Sequence, residues 1–159
     1  MMESKMALQA LPNTKEEHAQ DPVWLQICAE VEELSRQEPM MADFLRASIL
    51  NHSSLESALS SQLGHQVDCS TVPARVLCNV ISEVFATNDD VRAAMRADLI
   101  AVIERDSACE SLHLPLLFFK GFHALQLHRV AHWLWNQNRK SLALLLQSRA
   151  SMKFGVDIH

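Results

Sequence analysis

Tyrosine is absent from this chain, and only 3 glycines and 5 prolines interrupt its 159 residues. So few breakers permit long helices and leave little room for the tight turns of an all-β fold. Alternating Val/Ile/Thr runs are scarce as well, which excludes a large sheet. No apolar run approaches the roughly 18–20 residues that a membrane span needs. The 4 cysteines, at 28, 69, 78 and 109, have no metal-ligand spacing, and no signal peptide is expected from the polar first residues. A disulfide framework is therefore not implied, and reduced thiols in a cytoplasm are expected, with Cys28 and Cys78 as small core residues. Glycine-rich phosphate loops, internal repeats and low-complexity segments are also missing.

What remains is the composition of one globular domain, long enough to bury a real core. The net charge of −5 hides an asymmetry. Residues 1–112 hold 8 Lys/Arg against 18 Asp/Glu, whereas residues 113–159 hold 6 against the single Asp157. An acidic front and a basic back suit an anionic ligand or an acidic neighbouring subunit near the C-terminus, or are simply solvated faces. The basic residues are too dispersed, and the total too negative, for nucleic-acid binding.

Residues 1–20 are polar without a sustained period and read as a flexible tail; Thr14 and Glu17 offer only a weak capping box. From Asp21-Pro22 the pattern turns helical, with Trp24, Ile27, Val31 and Leu34 on one face. Glu38-Pro39 restarts a helix carrying Met41, Leu45 and Ile49. Ser53-Ser54-Leu55-Glu56 has the form of a capping box, and Gly64 fits a left-handed helix stop. Leu77, Val80, Ile81, Val84 and Phe85 mark the next helix after Pro73. Asn88 caps another, with Val91, Met95, Leu99 and Val102 inward, ending near Arg105-Asp106. A loop over 106–114, an apolar turn from Pro115 and a bend or close contact at Gly121 lead to a helix reaching about Gln137. The last helix, about 140–154, is apolar all round at Leu142–Leu146, which predicts burial on every side. Gly155 ends it, and Val156-Asp157-Ile158-His159 alternates like a strand. A lone strand cannot satisfy its own backbone groups, so a fragment or a truncation is expected.

Candidate chemistry is sparse. His128 and His132 are four apart and share a helix face with His123 nearby, a spacing that can hold zinc. No Glu follows the first His and no second ligand cluster appears, so no metal is assigned. No cysteine is marked as an activated nucleophile. Asp106, where a helix gives way to a loop, is either a turn residue paired with Arg105 or a functional carboxylate. Asp157 is either an exposed strand residue or a functional one.

Several stretches, in order and with matching spacing, change that balance. They are Asp21-Pro22-Val23-Trp24 with Gln26-Ile27, the Glu38-Pro39 restart, and His52-Ser53-Ser54-Leu55 ahead of Ala58-Leu59-Ser60. More specific are Arg105-Asp106, Lys120-Gly121-Phe122-His123-Ala124-Leu125-Gln126, His128-Arg129-Val130-Ala131-His132-Trp133-Leu134-Trp135, and the closing Val156-Asp157-Ile158-His159. Over about residues 21–159 the chain resembles the N-terminal half of serine O-acetyltransferases, which make O-acetylserine for cysteine synthesis.

The resemblance implies an all-α, multi-helix domain over 21–154, with 155–159 as the first residues of a left-handed parallel β-helix. The rest of that β-helix, its catalytic His, most of the acetyl-CoA groove and the regulatory tail are expected to lie outside these 159 residues, and the resemblance does not make His159 the base. Acetyl-CoA is implied as co-substrate, with no further cofactor. Asp157 is implied as the catalytic carboxylate that orients the absent His, and Asp106 as a ligand for the serine ammonium. Implied partners are further copies, as trimers joined through helical domains, L-serine, L-cysteine as inhibitor, and O-acetylserine sulfhydrylase through the absent tail; neither nucleic acid nor membrane is among them. The chain alone is expected to be inactive. The alternatives are a non-catalytic helical module assembling with family members and, more remotely, another acyltransferase of the β-helical superfamily.

Overall fold

A computed structural model describes residues 21–159; the tail over 1–20, with Thr14 and Glu17, lies outside them. Among the described residues the fold is helical throughout, and the one β-bridge joins Cys69 to Val72 within a turn. Helix α1 spans Pro22–Gln37. Asp21 caps it, its Oδ1 accepting the Val23 N–H at 3.1 Å, and Pro22 at the first position loses no intrahelical bond. Trp24, Ile27 and Val31 are buried, as the period predicts.

The helix expected to restart at Pro39 is wound in three ways: a 3-10 turn at Pro39–Met41, α2 at Ala42–Leu45 and a π turn at Arg46–Leu50. Met41, Leu45 and Ile49 repeat every four residues and so drift by about 40° per step against a 3.6-residue period. A turn closed from Asn51 N–H to Arg46 C=O absorbs the drift, and Leu45 and Ile49 are both buried.

α3 covers Leu55–Gln66 and α4 covers Ala74–Thr87. The cap of α3 falls one residue later than the sequence suggested: Ser54 Oγ accepts the Ser57 N–H at 3.2 Å, and Glu56 is turned inward to other work. Gly64 is no helix stop. It lies inside α3, where a Cβ would sit 2.3 Å from Cys78 Sγ and 2.8 Å from the Cys78 backbone nitrogen. The glycine lets α4 approach, a demand of tertiary contact that local sequence does not reveal.

α5 runs Asp89–Arg105 with Asn88 Oδ1 accepting the Val91 N–H at 2.9 Å, as expected. α6, His113–Phe118, begins before Pro115, which sits in the first turn where its missing N–H has no partner to lose. Extended backbone at Phe119 separates it from α7, Lys120–Asn136. Gly121 is in the first turn of α7, and a Cβ at that position would meet nothing within 4 Å, so neither the bend nor the close contact is found there. Asn138, at φ 60°, turns the chain into α8, Lys140–Phe154. Gly155, at φ 67°, ends α8 as expected.

α3–α4 and α7–α8 are the two most closely packed helix pairs, and one hydrophobic core runs through both. α8 is not buried all round: Ala143, Leu146, Ala150 and Phe154 face inward, whereas Leu144 is half exposed. Cys28 and Cys78 are only partly buried, and Cys109 is the buried thiol; all four are unpaired. No helix among the described residues is long and apolar enough to cross a membrane.

Three polar ties pin the helices. The half-buried Arg96 of α5 donates to Asp21 Oδ2 at 2.7 Å and to Glu56 Oε1 at 2.7 Å, joining α5 to the starts of α1 and α3. Arg149 of α8 donates to the Val67 and Asp68 carbonyls at 2.8 and 2.6 Å, closing the open end of α3. Arg139 reaches Glu83 on α4 at 2.6 Å. With Arg129, described below, half of the C-terminal cations are thus consumed within the chain. The charge asymmetry of the sequence is partly a record of these internal pairs and not wholly a surface field.

Candidate functional site

Asp106 is the C-cap of α5. Its N–H still reaches the Val102 carbonyl at 2.9 Å, while its Oδ1 accepts the Ala108 N–H at 3.0 Å and its carbonyl accepts the Cys109 N–H at 2.9 Å. The side chain is fixed by its own turn and remains exposed to a groove of about 520 Å³ between α5 and the start of α7. Asp98, Val102 and Asp106 form one wall, and Phe119, Phe122 and Leu125 the other. A carboxylate at the end of an apolar groove is suited to holding a small cation, such as an ammonium. Arg105 lines the same groove, and no pair between it and Asp106 is formed.

The loop that carries Asp106 is anchored from behind. Glu30 of α1 accepts both the backbone N–H and the ring Nδ1–H of His113, each at 3.0 Å. Burial alone would raise the Glu30 pKa; the His113 ring and backbone, Gln26 and Leu112 outweigh it and hold the carboxyl below its ordinary value.

Asp157 stands elsewhere. After Gly155 the chain lies across the α7–α8 hairpin, with Val156 and Ile158 against Leu127, Ala131 and Leu146. Asp157 faces out, and its closest partner is His159, whose Nε2 is 3.4 Å from Oδ2. His159 Nδ1 bonds the Gln147 amide at 2.8 Å. Asp106 and Asp157 share no groove and no contact in this chain.

His128 and His132 do meet, with ring centroids 6.0 Å apart, and His132 Nε2 accepts from Asn136 at 3.1 Å. Burial first, then His132 and Arg129, lower the His128 pKa. Among the described residues, no three His, Cys, Asp or Glu are grouped to hold a metal ion. His123 is buried and donates from Nε2 to the Leu116 carbonyl at 2.7 Å, satisfying one of the last carbonyls of α6. Its pKa is lowered by burial, against the opposing pull of that bond, so the ring is held neutral.

Sequence reasoning missed a cluster behind the groove. Asp98 Oδ2 accepts from Arg129 Nε and from Gln126 Nε2, both at 2.8 Å, and Oδ1 accepts from Arg129 Nη2 at 2.9 Å. One signal was present: Gln126 interrupts the face Phe122, Val130, Leu134, the only polar residue at that four-residue spacing.

An all-helical domain with a carboxylate-ended groove is the class that fold and site define. The family described as "Serine acetyltransferase, N-terminal" matches residues 23–127. The serine acetyltransferase of Escherichia coli K12 is 44% identical over 137 residues, 86% of this chain and 50% of that protein. A serine acetyltransferase solved in complex with CoA superposes with a TM-score of 0.84 at 45% identity, over 86% of this chain and 58% of that one. Soybean serine acetyltransferase complexed with serine gives 0.83 at 45% identity, over 94% and 59%. The chain belongs to the serine acetyltransferase family and carries its N-terminal helical domain. It spans about half the length of the curated relatives it matches.

Proposed function

We propose that this chain supplies the assembly half and part of the serine site of a serine O-acetyltransferase, which converts acetyl-CoA and L-serine to O-acetylserine and CoA. The observation that carries the proposal is Asp106, held at the mouth of an apolar groove in a domain so similar to that of a relative solved with serine. Asp106 takes the serine ammonium. Asp157, after the turn at Gly155, hydrogen-bonds the far ring nitrogen of a catalytic His carried by the left-handed β-helix that begins at 155–159. That His removes the serine hydroxyl proton, the oxygen attacks the thioester carbonyl, the C–S bond breaks, and the CoA sulfur receives the proton. Acetyl-CoA is a co-substrate, and no other cofactor has a role. L-Cysteine, with the same ammonium, competes at Asp106. The working protein is a cytoplasmic homo-oligomer of trimers joined through helical domains, with O-acetylserine sulfhydrylase as a further partner.

The test joins residues 1–159 to the part of the E. coli enzyme beyond its matched half and follows serine-dependent thiol release from acetyl-CoA. Asp157→Asn should lower kcat by about 10²–10⁴-fold, since an amide misdirects the imidazole and cannot stabilise its charge. Asp106→Asn should raise KM for serine and relieve cysteine inhibition, leaving KM for acetyl-CoA unchanged. Both variants behaving as wild type in an active fusion would remove these roles. An inactive fusion that still co-assembles with the E. coli enzyme would favour a non-catalytic helical module.

A further inference from the structure

Gln126 is wholly buried on the core face of α7, yet its Oε1 has no partner among the described residues. A buried amide with half its capacity unused is a destabilising choice where Leu or Met would pack dry. Its other half is committed: Nε2 donates to Asp98 at 2.8 Å. With the two bonds from Arg129, this leaves Asp98 with three donors, all from α7. Asp98 and Asp106 lie eight residues apart on one wall of the groove, about 12 Å along α5. The opposite wall is α7 itself. The clamp therefore sets the spacing between the two walls at whose end Asp106 sits.

We propose that Gln126 and Asp98 are positioning residues: they hold α5 against α7 at the separation that places the Asp106 carboxylate for an ammonium ligand, and Gln126 is retained for that alignment although it weakens the core. The proposal rests on the reading of Asp106 given above. A merely structural bond and a positioning bond differ in sign here. Removing a structural bond lowers stability and leaves the site alone. Removing this one relieves an unpaired oxygen and loosens the site.

The experiment replaces Gln126 with Met, which matches its length and flexibility, and uses two readouts. In the chain itself, Gln126→Met should melt at or above the wild-type temperature. Amide exchange at Asp106, Ala108 and Cys109, the three N–H groups bonded in the Asp106 turn, should quicken on the order of tenfold. In the active fusion, serine KM should rise roughly 3–10-fold, with kcat within about twofold and acetyl-CoA KM unchanged. Asp98→Asn should give the same exchange and KM changes with a lower melting temperature. The proposal is overturned if Gln126→Met melts several degrees lower, or fails to fold, or leaves exchange at the three amides as in wild type. If exchange quickens while Asp106→Asn leaves serine KM untouched, the clamp stands and the role of Asp106 in serine binding falls.

Discussion

Arg96 is the residue whose loss should destabilise the domain most measurably. Its guanidinium donates through Nε and Nη2 to Asp21 Oδ2 at 3.0 and 2.7 Å, through Nη2 to Glu56 Oε1 at 2.7 Å, and through Nη1 to the Arg92 carbonyl at 3.2 Å. The Asp21 and Glu56 side chains are only 9% and 10% exposed, so water cannot replace it. Arg96→Met keeps most of the stem's packing but removes the donor that Asp21 Oδ2 and Glu56 Oε1 share. Breaking a buried pair from one side costs about 3–5 kcal/mol. With a urea slope of about 2 kcal/mol per molar, the unfolding midpoint should fall by roughly 2 M. The assay is urea titration followed by circular dichroism at pH 7. The penalty belongs to two near-buried carboxylates that lose their shared cation, so neutralising them should recover most of it. The triple variant Asp21→Asn, Glu56→Gln, Arg96→Met should return to within about 1–2 kcal/mol of wild type, since neutral replacements of a buried ion cluster are often tolerated and Asn still caps α1. A single variant costing under about 1 kcal/mol, or a triple variant no better than the single, would refute the reasoning.

Gly64→Ala tests packing against propensity. Helix propensity favours Ala by about 1 kcal/mol, but the new Cβ meets Cys78 backbone, so a net loss of about 1–3 kcal/mol is expected; a raised melting temperature would show that α4 can yield. Acid should destabilise the domain from the neutral side. The folded pKa values of His123 and His128 lie below their ordinary 6.5, so the stability they confer is complete above that pH and is lost as pH falls through the folded values. Urea midpoints from pH 7.5 to 5 should therefore decline, and His123→Leu should flatten the slope; an unchanged slope would acquit the buried ring. Leu144 and Trp135 stand half exposed and line one groove, so concentration-dependent self-association is expected by sedimentation and should weaken in Leu144→Glu. A monomer at tens of micromolar, the range that standard interfaces populate at roughly 1 μM affinity, would count against it.

Whatever repeats within a few residues was legible in the sequence. Trp24, Ile27 and Val31 announced α1, Asn88 announced the start of α5, and Gly155 the end of α8. Contacts between distant segments were not. Gly64 looked like a stop because its true neighbour, Cys78, is on the next helix. Glu56 looked like half of a capping box because the bond it accepts from Arg96 comes from 40 residues on. Leu142–Leu146 looked buried on all sides because composition cannot say how many faces a domain of this size can cover. At the candidate site, Asp106 was legible as the residue where a helix yields to a loop. Its supports, Glu30 with His113 and Asp98 with Gln126 and Arg129, were not, since they join residues 28 to 83 apart.

The stretch after Gly155 has a parity. Val156 and Ile158 rest on the α7–α8 hairpin, and Asp157 points away. Extended chain presents alternate residues to opposite sides, so orientation here is counted in odd and even steps and not in distance. Inserting one residue between Gly155 and Asp157 would turn the carboxylate toward Leu127 and Ala131 and swing Ile158 into the open, although the chain grows by only about 3.3 Å. Inserting two would lengthen the chain further and yet return every side chain to its proper side.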